Sequence, residues 1–225
     1  MNIVFVLFDN VTQLDFTGPV QLLSRLPGAQ VHVVSKGGKA VTTDCGFSIL
    51  PRSGFAECPQ ADILCVPGGH GVRSAIADTA LVDFVRQQAK GADYVTSVCT
   101  GAFILGAAGL LQGKKATCHW AYTQLLPLFG ATHVPARVVH DGNLITAGGV
   151  TSGIDFALEL IAAISGEDVA RTIQLALEYD PAPPFGGGSL ESSSDETVDS
   201  LRARIYDKAA SDMKIAIQNI IQSAD

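Results

Sequence analysis

The chain has little charge of either sign and no basic cluster. Only 16% of its 225 residues are charged, and 15 Lys and Arg stand against 22 Asp and Glu, which gives a formal net charge of −7. An acidic chain without basic patches offers little to a phosphate backbone, so we expect no nucleic-acid partner. Apolar residues make up 47% of the chain. That share excludes disordered and fibrous proteins.

Membrane spans, export signals and paired cysteines are also missing. The apolar runs are broken well short of a bilayer span, and no basic region precedes the apolar N-terminus, so we expect a cytoplasmic protein without a membrane segment. The odd number of cysteines disfavours a disulfide framework, and none has C-x-x-C spacing: Cys45, Cys58, Cys65, Cys99 and Cys118. The five histidines are scattered, so we predict no metal site.

Short β-rich runs alternate with helical patterns, which is typical of parallel βαβ units in one α/β domain. Strands are predicted over residues 3–8, 31–35, 61–66 and 94–98, and a hairpin over 137–147 around Asp141-Gly142. Helices are predicted over residues 18–26 with Pro19 in the first turn, 72–89, 151–164 with Thr151 as the cap, and 167–179.

The last part of the chain follows a proline- and glycine-rich segment. Residues 181–189 cannot continue a helix and read as a linker or crossing segment. Beyond it, apolar residues recur every three or four positions and predict one long amphipathic helix: Val198, Leu201, Ile205, Ala209, Met213, Ala216 and Ile220. Such a helix can serve a dimer or bind DNA, but packing on its own body is commoner. We therefore predict an α/β domain over residues 1–190 and a C-terminal helix over 191–225 packed on that domain.

Cys99 stands where an apolar strand runs directly into a helical pattern. A side chain on so abrupt a turn is lifted out of the sheet, and the N–H groups of the first helical turn point at whatever binds beside it. Those donors stabilise a thiolate and can hold an anion formed by its attack. We therefore expect a partly exposed thiolate at Cys99 and expect this thiol to be the one most readily alkylated and oxidised. The turn is therefore interpreted as a nucleophile elbow with sulfur as the nucleophile. The alternative is a buried structural thiol, since free Cys is often buried.

Three further segments supply polar groups that an elbow would need. Gly69 and His70 lie in a glycine-rich loop after a buried strand, where their N–H groups could join that of Thr100 in an anion-binding pocket; the alternative is an ordinary turn. Asp15 follows the first strand and is either a helix cap or a carboxyl with a raised pKa that moves a proton. His119 is either a general base or, as we expect, a packed histidine.

Several motifs together resemble the ThiJ/PfpI superfamily, and within it the isonitrile (isocyanide) hydratases. They are L-D-F-T-G-P at 14–19, P-G-G at 67–69, S-V-C-T-G at 97–101, L-G-A-A-G-L-L-Q-G-K at 105–114, H-W at 119–120 and L-E-Y-D-P-A-P-P-F at 177–185. The resemblance implies a flavodoxin-like three-layer α/β sandwich of the class I glutamine amidotransferase type, with a mostly parallel sheet. It also implies a homodimer.

The same resemblance implies a lyase that hydrates an isonitrile without a metal or organic cofactor. Cys99 would attack the terminal carbon, Asp15 would move the proton, and Thr100 would orient Cys99, before water releases an N-substituted formamide. The protease-like members of the superfamily carry a glutamate near the first strand and a histidine directly after the cysteine. Asp15 and Thr100 stand at those places here, so peptide hydrolysis is disfavoured.

Two other functions remain as alternatives. AraC-type regulators carry a related N-terminal domain but continue into a DNA-binding domain of about 100 residues, a usual domain size, whereas about 36 residues follow the linker here. A redox-responsive chaperone or deglycase would use Cys99 as a sensor. The glutamate expected for that class is absent. A ligand-binding or redox-sensing protein is thus the alternative to the enzyme.

Overall fold

A computed structural model describes residues 1–223 and has a six-stranded central sheet. The sheet order is β2-β1-β5-β6-β10-β9, and every neighbouring pair is parallel except β10 with β9. Its strands are β1 Asn2–Leu7, β2 Gln30–Ser35, β5 Ile63–Val66, β6 Tyr94–Val98, β9 Val138–Asp141 and β10 Leu144–Ala147. Four short strands form two small two-stranded sheets: β3 Val41–Thr42 with β4 Ser48–Ile49, and β7 Lys115–Ala116 with β8 Thr132–His133.

Helices cover both faces of this sheet. They are α1 Gln13–Leu23, α2 Val72–Ala75, α3 Thr79–Ala89, α4 Ala102–Ala107, α5 Ser152–Ser165, α6 Glu167–Ala176, α7 Asp195–Leu201 and α8 Asp207–Gln222, with 3₁₀ turns over Trp120–Phe129. The crossovers β1 to β2 and β5 to β6 run in opposite directions along the sheet, so right-handed connections place α1 and α3 on opposite faces. Helix α5 packs on α1 and α4 packs on α3. The predicted flavodoxin-like sandwich and the hairpin at Asp141-Gly142 are confirmed.

Helix α1 begins at Gln13, so the prediction of a start near Gly18 with Pro19 in the first turn is wrong. Pro19 lies inside the helix instead. A distant side chain explains the earlier start, because Asp44 Oδ1 accepts a hydrogen bond from the Gln13 N–H at 3.0 Å. Asp44 takes up one of the N–H groups that a helix N-terminus leaves unpaired. Local sequence could not reveal this contact.

Two more helix predictions need correction. The helix predicted over residues 72–89 is split into α2 and α3, because Asp78 caps α3 by accepting from the N–H of Ala80 at 3.0 Å. Thr151 precedes α5 as predicted, but its side chain makes no capping bond. Its Oγ1 accepts from the Arg137 guanidinium at 3.1 Å instead. The Thr151 hydroxyl is thus bonded to an exposed arginine that directly precedes β9, and it does not cap the helix.

The C-terminal segment is helical from Asp195 to Gln222, with one wide π turn at Arg202–Tyr206 between α7 and α8. Helix α8 packs against α2 and against the 3₁₀ turns, and it buries Ala210, Met213 and Ile217. The predicted position of Ile205 on the buried stripe is wrong, since its side chain is 45% exposed. Residues 224–225 of the predicted C-terminal unit lie outside the described residues. Among the described helices, none has the length and apolar character to cross a membrane.

Candidate active site

The carboxyl ends of β1, β5 and β6 meet at one edge of the sheet. After β1 the chain crosses to β2 on one side of it, and after β5 it crosses to β6 on the other side. The direction of the crossovers therefore switches between β1 and β5, which is where ligands bind in such folds. A cavity of about 750 Å³ opens at this edge, within the usual range for small-molecule sites. Four predicted site residues line it together with Cys99: Gly69, His70, Thr100 and His119.

Cys99 occupies a strained turn directly after β6. Its φ is +59°, a conformation that a non-glycine residue adopts only where its surroundings hold it there. Its N–H donates to the Gly148 carbonyl at 2.8 Å, and a Cβ at Gly101 would overlap the Val66 carbonyl. These contacts press the turn against the edge of the sheet. The geometry is that of the predicted elbow.

Asp15 lies beneath the cavity in the first turn of α1 and is 1% exposed. Its Oδ2 accepts from the Gly68 N–H at 2.9 Å, so the side chain reaches across to the β5 loop and does not cap α1. Its Oδ1 has no hydrogen-bond partner within residues 1–223. Burial raises the pKa of Asp15 to about 7, although the Gly68 N–H and the nearby Cys99 thiol pull it down.

The pKa of Cys99 is raised, not lowered as an exposed thiolate at a helix end would require. The side chain is 5% exposed, and burial is the largest cause, followed by the nearby Asp15 carboxyl. The Thr100 N–H and side chain oppose this rise, and the Thr100 hydroxyl itself donates to the Gly69 carbonyl at 3.3 Å. Because two buried anions cannot form side by side, thiol and carboxyl share protons as a coupled pair. The expectation of a partly exposed thiolate is wrong.

The glycine loop after β5 supports the elbow instead of offering all its donors to a ligand. The Gly69 N–H donates to Thr100 Oγ1 at 3.0 Å, so it is engaged within the protein, and the anion-binding role of Gly69 or His70 stays a prediction. A Cβ at Gly68 would stand 2.6 Å from the Thr100 nitrogen and 2.9 Å from Asp15 Oδ2. Glycine therefore lets Asp15 and Thr100 approach each other. His70 is exposed at the cavity mouth.

His119 has the character of a packed histidine. Its Nδ1 accepts from the Ala121 N–H at 3.3 Å, which caps the 3₁₀ turns and leaves the proton of the neutral ring on Nε2. Burial is the main cause that lowers the pKa of His119 to about 4. The ring is therefore neutral near pH 7. Among the described residues, no group of three or more His, Cys, Asp or Glu is placed to hold a metal ion.

Tyr122 and Tyr206 are cavity residues that sequence reasoning missed. Burial raises the pKa of both phenols, that of Tyr122 to about 12, and for each the nearby Cys99 is the next cause. Tyr122 follows the H-W motif by two positions, which was the available signal for it. Tyr206 carried no such signal, because the amphipathic pattern pointed to Ile205.

Two known proteins are similar to this chain over most of its length. A Pseudomonas putida protein named isonitrile hydratase is 53% identical over 204 residues, covering 91% of this chain and 90% of that protein. The crystal structure of a ThiJ/PfpI family protein from Pseudomonas syringae matches with a TM-score of 0.89 at 39% identity, covering 94% of this chain and 90% of that one.

A relative of the kind that the regulator alternative would predict is less similar to this chain. The HTH-type transcriptional regulator GbdR of Pseudomonas aeruginosa is 28% identical over 187 residues, which span 80% of this chain but only 51% of the regulator. The sequence model of the DJ-1/PfpI family matches residues 1–163, which include every predicted site residue. The chain belongs to the DJ-1/PfpI family.

Proposed function

We propose that the protein is an isonitrile hydratase, a lyase that converts R–N≡C and water into an N-substituted formamide. The 53% identity to the Pseudomonas putida isonitrile hydratase carries this proposal. The buried pair of Asp15 and Cys99 at the cavity edge supports it, since the chemistry needs a sulfur nucleophile and a group that moves protons over a short distance.

In the first step, Cys99 adds to the isonitrile. Asp15 as carboxylate accepts the thiol proton while the sulfur attacks the terminal carbon. The carboxyl then gives this proton to the same carbon, so the product is the neutral thioimidate Cys99–S–CH=N–R and Asp15 is again ionised. Thr100 orients the sulfur and stabilises its charge through its N–H. The addition therefore needs no buried charge besides the single negative charge that Asp15 and Cys99 carry between them.

In the second step, water releases the product. Asp15 accepts a proton from water as the oxygen adds to the thioimidate carbon, and it passes this proton to the nitrogen, so that Asp15 is again ionised. The C–S bond breaks as the carbonyl forms, and the hydroxyl proton returns to the sulfur by way of Asp15. The products are R–NH–CHO and the Cys99 thiol. Atoms and protons balance, and this chain's own residues suffice.

Incubation of the purified protein with an alkyl or aryl isonitrile tests the proposal. We expect N-substituted formamide to accumulate, read by the formyl proton in NMR spectra, and Cys99→Ala to produce none. A folded wild-type protein that forms no formamide from several isonitriles would rule out the hydratase function. Cys99 as a redox sensor, with no turnover, would then be the better proposal.

The remaining parts of the proposal concern assembly and location. We propose a homodimer in the cytoplasm with no nucleic-acid partner, an α/β domain over residues 1–190 and a helical unit beyond it. The family resemblance supports the dimer. The acidic chain supports the lack of a nucleic-acid partner, and five free cysteines fit a reducing compartment. Light scattering should give twice the 23.5 kDa mass of one chain.

A further inference from the structure

The C-terminal helical run forms one wall of the Cys99 cavity. Ile205, Tyr206, Ala209 and Met213 line the cavity together with Cys99. These four residues lie outside the part of the chain that the family model matches. The nucleophile and the proton carrier therefore come from the family core, whereas this wall comes from a segment beyond it. Such a wall is suited to decide which R group fits.

The π turn determines which side chain continues the buried stripe of the helical run. Along the run, the buried and half-buried positions that follow one stripe are 198, 201, 206, 210, 213, 217 and 220. Every step is three or four residues except the one from Leu201 to Tyr206, which spans the π turn. The extra residue leaves the Ile205 side chain half in solvent and directs Tyr206 inward. Such turns are rare and are found frequently at functional sites.

Tyr206 joins an aromatic cluster at the cavity wall. Its ring centroid lies 5.1 Å from those of His119 and Trp120 and 6.0 Å from that of Tyr122. The guanidinium of Arg202, at the start of the π turn, lies 5.8 Å from the centroid of the Trp120 ring. The Arg73–Asp212 ion pair at 3.2 Å also ties α8 to α2. Contacts on both sides of Tyr206 along the chain thus fix the helical run in which it lies.

The aromatic cluster is uncharged near pH 7, although three of its rings can titrate. His119 is neutral near pH 7 because burial lowers its pKa to about 4, and burial raises the pKa of both phenols. A linear R–N≡C bound by its carbon to the Cys99 sulfur directs R away from the sulfur into the cavity. Aromatic rings pair favourably with other rings in edge-to-face and offset geometries. Saturated rings of the same size lack that preference.

We propose that Tyr206 is a specificity-determining residue that selects isonitriles with a planar aromatic R group over saturated ones of similar size. The inference rests on the hydratase function proposed above. The π turn supplies the selectivity by placing an aromatic ring on the buried stripe, while the half-exposed Ile205 lines the cavity beside it. The ring acts on binding of R and takes no part in the proton transfers.

Phenyl and cyclohexyl isonitrile form a matched pair of substrates for the test. The ratio of their kcat/KM values is measured for the wild type, Tyr206→Leu, Tyr206→Phe and Ile215→Ala. Comparing ratios between variants cancels the different intrinsic reactivity of the two isonitriles. Ile215 is an exposed residue of α8 outside the cavity, so its variant controls for changes in the helix alone.

We expect Tyr206→Leu to lower the phenyl-to-cyclohexyl ratio by roughly 2- to 10-fold, the contribution of an aromatic pair, mainly through a higher KM for the phenyl substrate. Tyr206→Phe and Ile215→Ala should keep the wild-type ratio. An unchanged ratio in folded Tyr206→Leu, or an equal loss for both substrates, overturns the proposal.

A binding measurement separates this inference from the hydratase function. Cys99→Ala, with and without Tyr206→Leu, is titrated with N-phenylformamide and N-cyclohexylformamide. The emission of Trp120 reports binding, since it is the single tryptophan and contacts Tyr206. We expect the preference for the phenyl compound to depend on Tyr206. If the wild type turns over neither isonitrile, the hydratase function fails, and this titration alone decides: a preference independent of Tyr206 overturns the inference.

Discussion

Cys99 and Cys118 are two buried thiols with opposite surroundings. Both side chains are at most 5% exposed, and burial is the largest cause that raises the pKa of each. Around Cys118 burial acts alone. Around Cys99, the Thr100 N–H and side chain lower the pKa, and the Asp15 carboxyl lies nearby. Since burial is common to both thiols, we expect the polar groups around Cys99 to be what makes it the reactive one.

Replacement of each thiol tests this difference most strongly. We expect Cys99→Ala to reduce formamide formation to background, since no neighbouring group replaces the sulfur. Cys118→Ala should retain the activity within about threefold and lose some stability, as small core truncations do. Rates with an isonitrile and far-UV circular dichroism of both variants provide the check. Equal losses in two folded variants would remove the distinction between the thiols.

The carboxyl partner gives the next largest effect. Asp15→Asn keeps the shape of the side chain but cannot carry the proton, so kcat should fall by roughly 10² or more. Asp15→Glu should recover part of the loss. Steady-state kinetics of the three proteins measure this. An Asn variant as active as the wild type would mean that another group moves the proton.

The burial of Asp15 also predicts a pH-dependent cost to stability. Its pKa is about 7 in the folded protein, whereas that of an unburied aspartate is 3.8. Between these values the folded protein holds a proton that the unfolded chain has lost. The stability that goes with the protonated Asp15 carboxyl is therefore fully present below about pH 4 and is lost as the pH rises through 7.

Asp15→Asn lacks this titration. Its free energy of unfolding, relative to the wild type, should therefore rise by about 4 kcal/mol between pH 4 and pH 8. Urea unfolding of both proteins across this range measures the difference, in which the other titrating groups cancel. Parallel pH curves would contradict the raised pKa.

The sequence was sufficient for the parts of the site that local patterns determine. The apolar run before Cys99 predicted both β6 and the abrupt turn, since a buried parallel strand must end at the sheet edge. Contacts between distant segments decided the rest. Asp44 moved the start of α1, and one extra residue in a helical turn brought Tyr206 to the buried stripe in the place that the period assigned to Ile205. Periodicity cannot report either, because both depend on what lies opposite in space.

The smallest expected effect concerns alkylation. Sequence alone suggested Cys99 as the most readily alkylated thiol, but Cys45 is fully exposed and should compete for reagent despite a raised pKa. The informative comparison is again with Cys118. Cys99 lines the cavity and has donors for a thiolate, so limiting iodoacetamide should modify it about tenfold faster than Cys118. Peptide mapping over time gives both rates from one sample. If Cys118 reacted as fast as Cys99, access alone would control the chemistry, and the Thr100 and Asp15 contacts would not make the Cys99 sulfur more reactive.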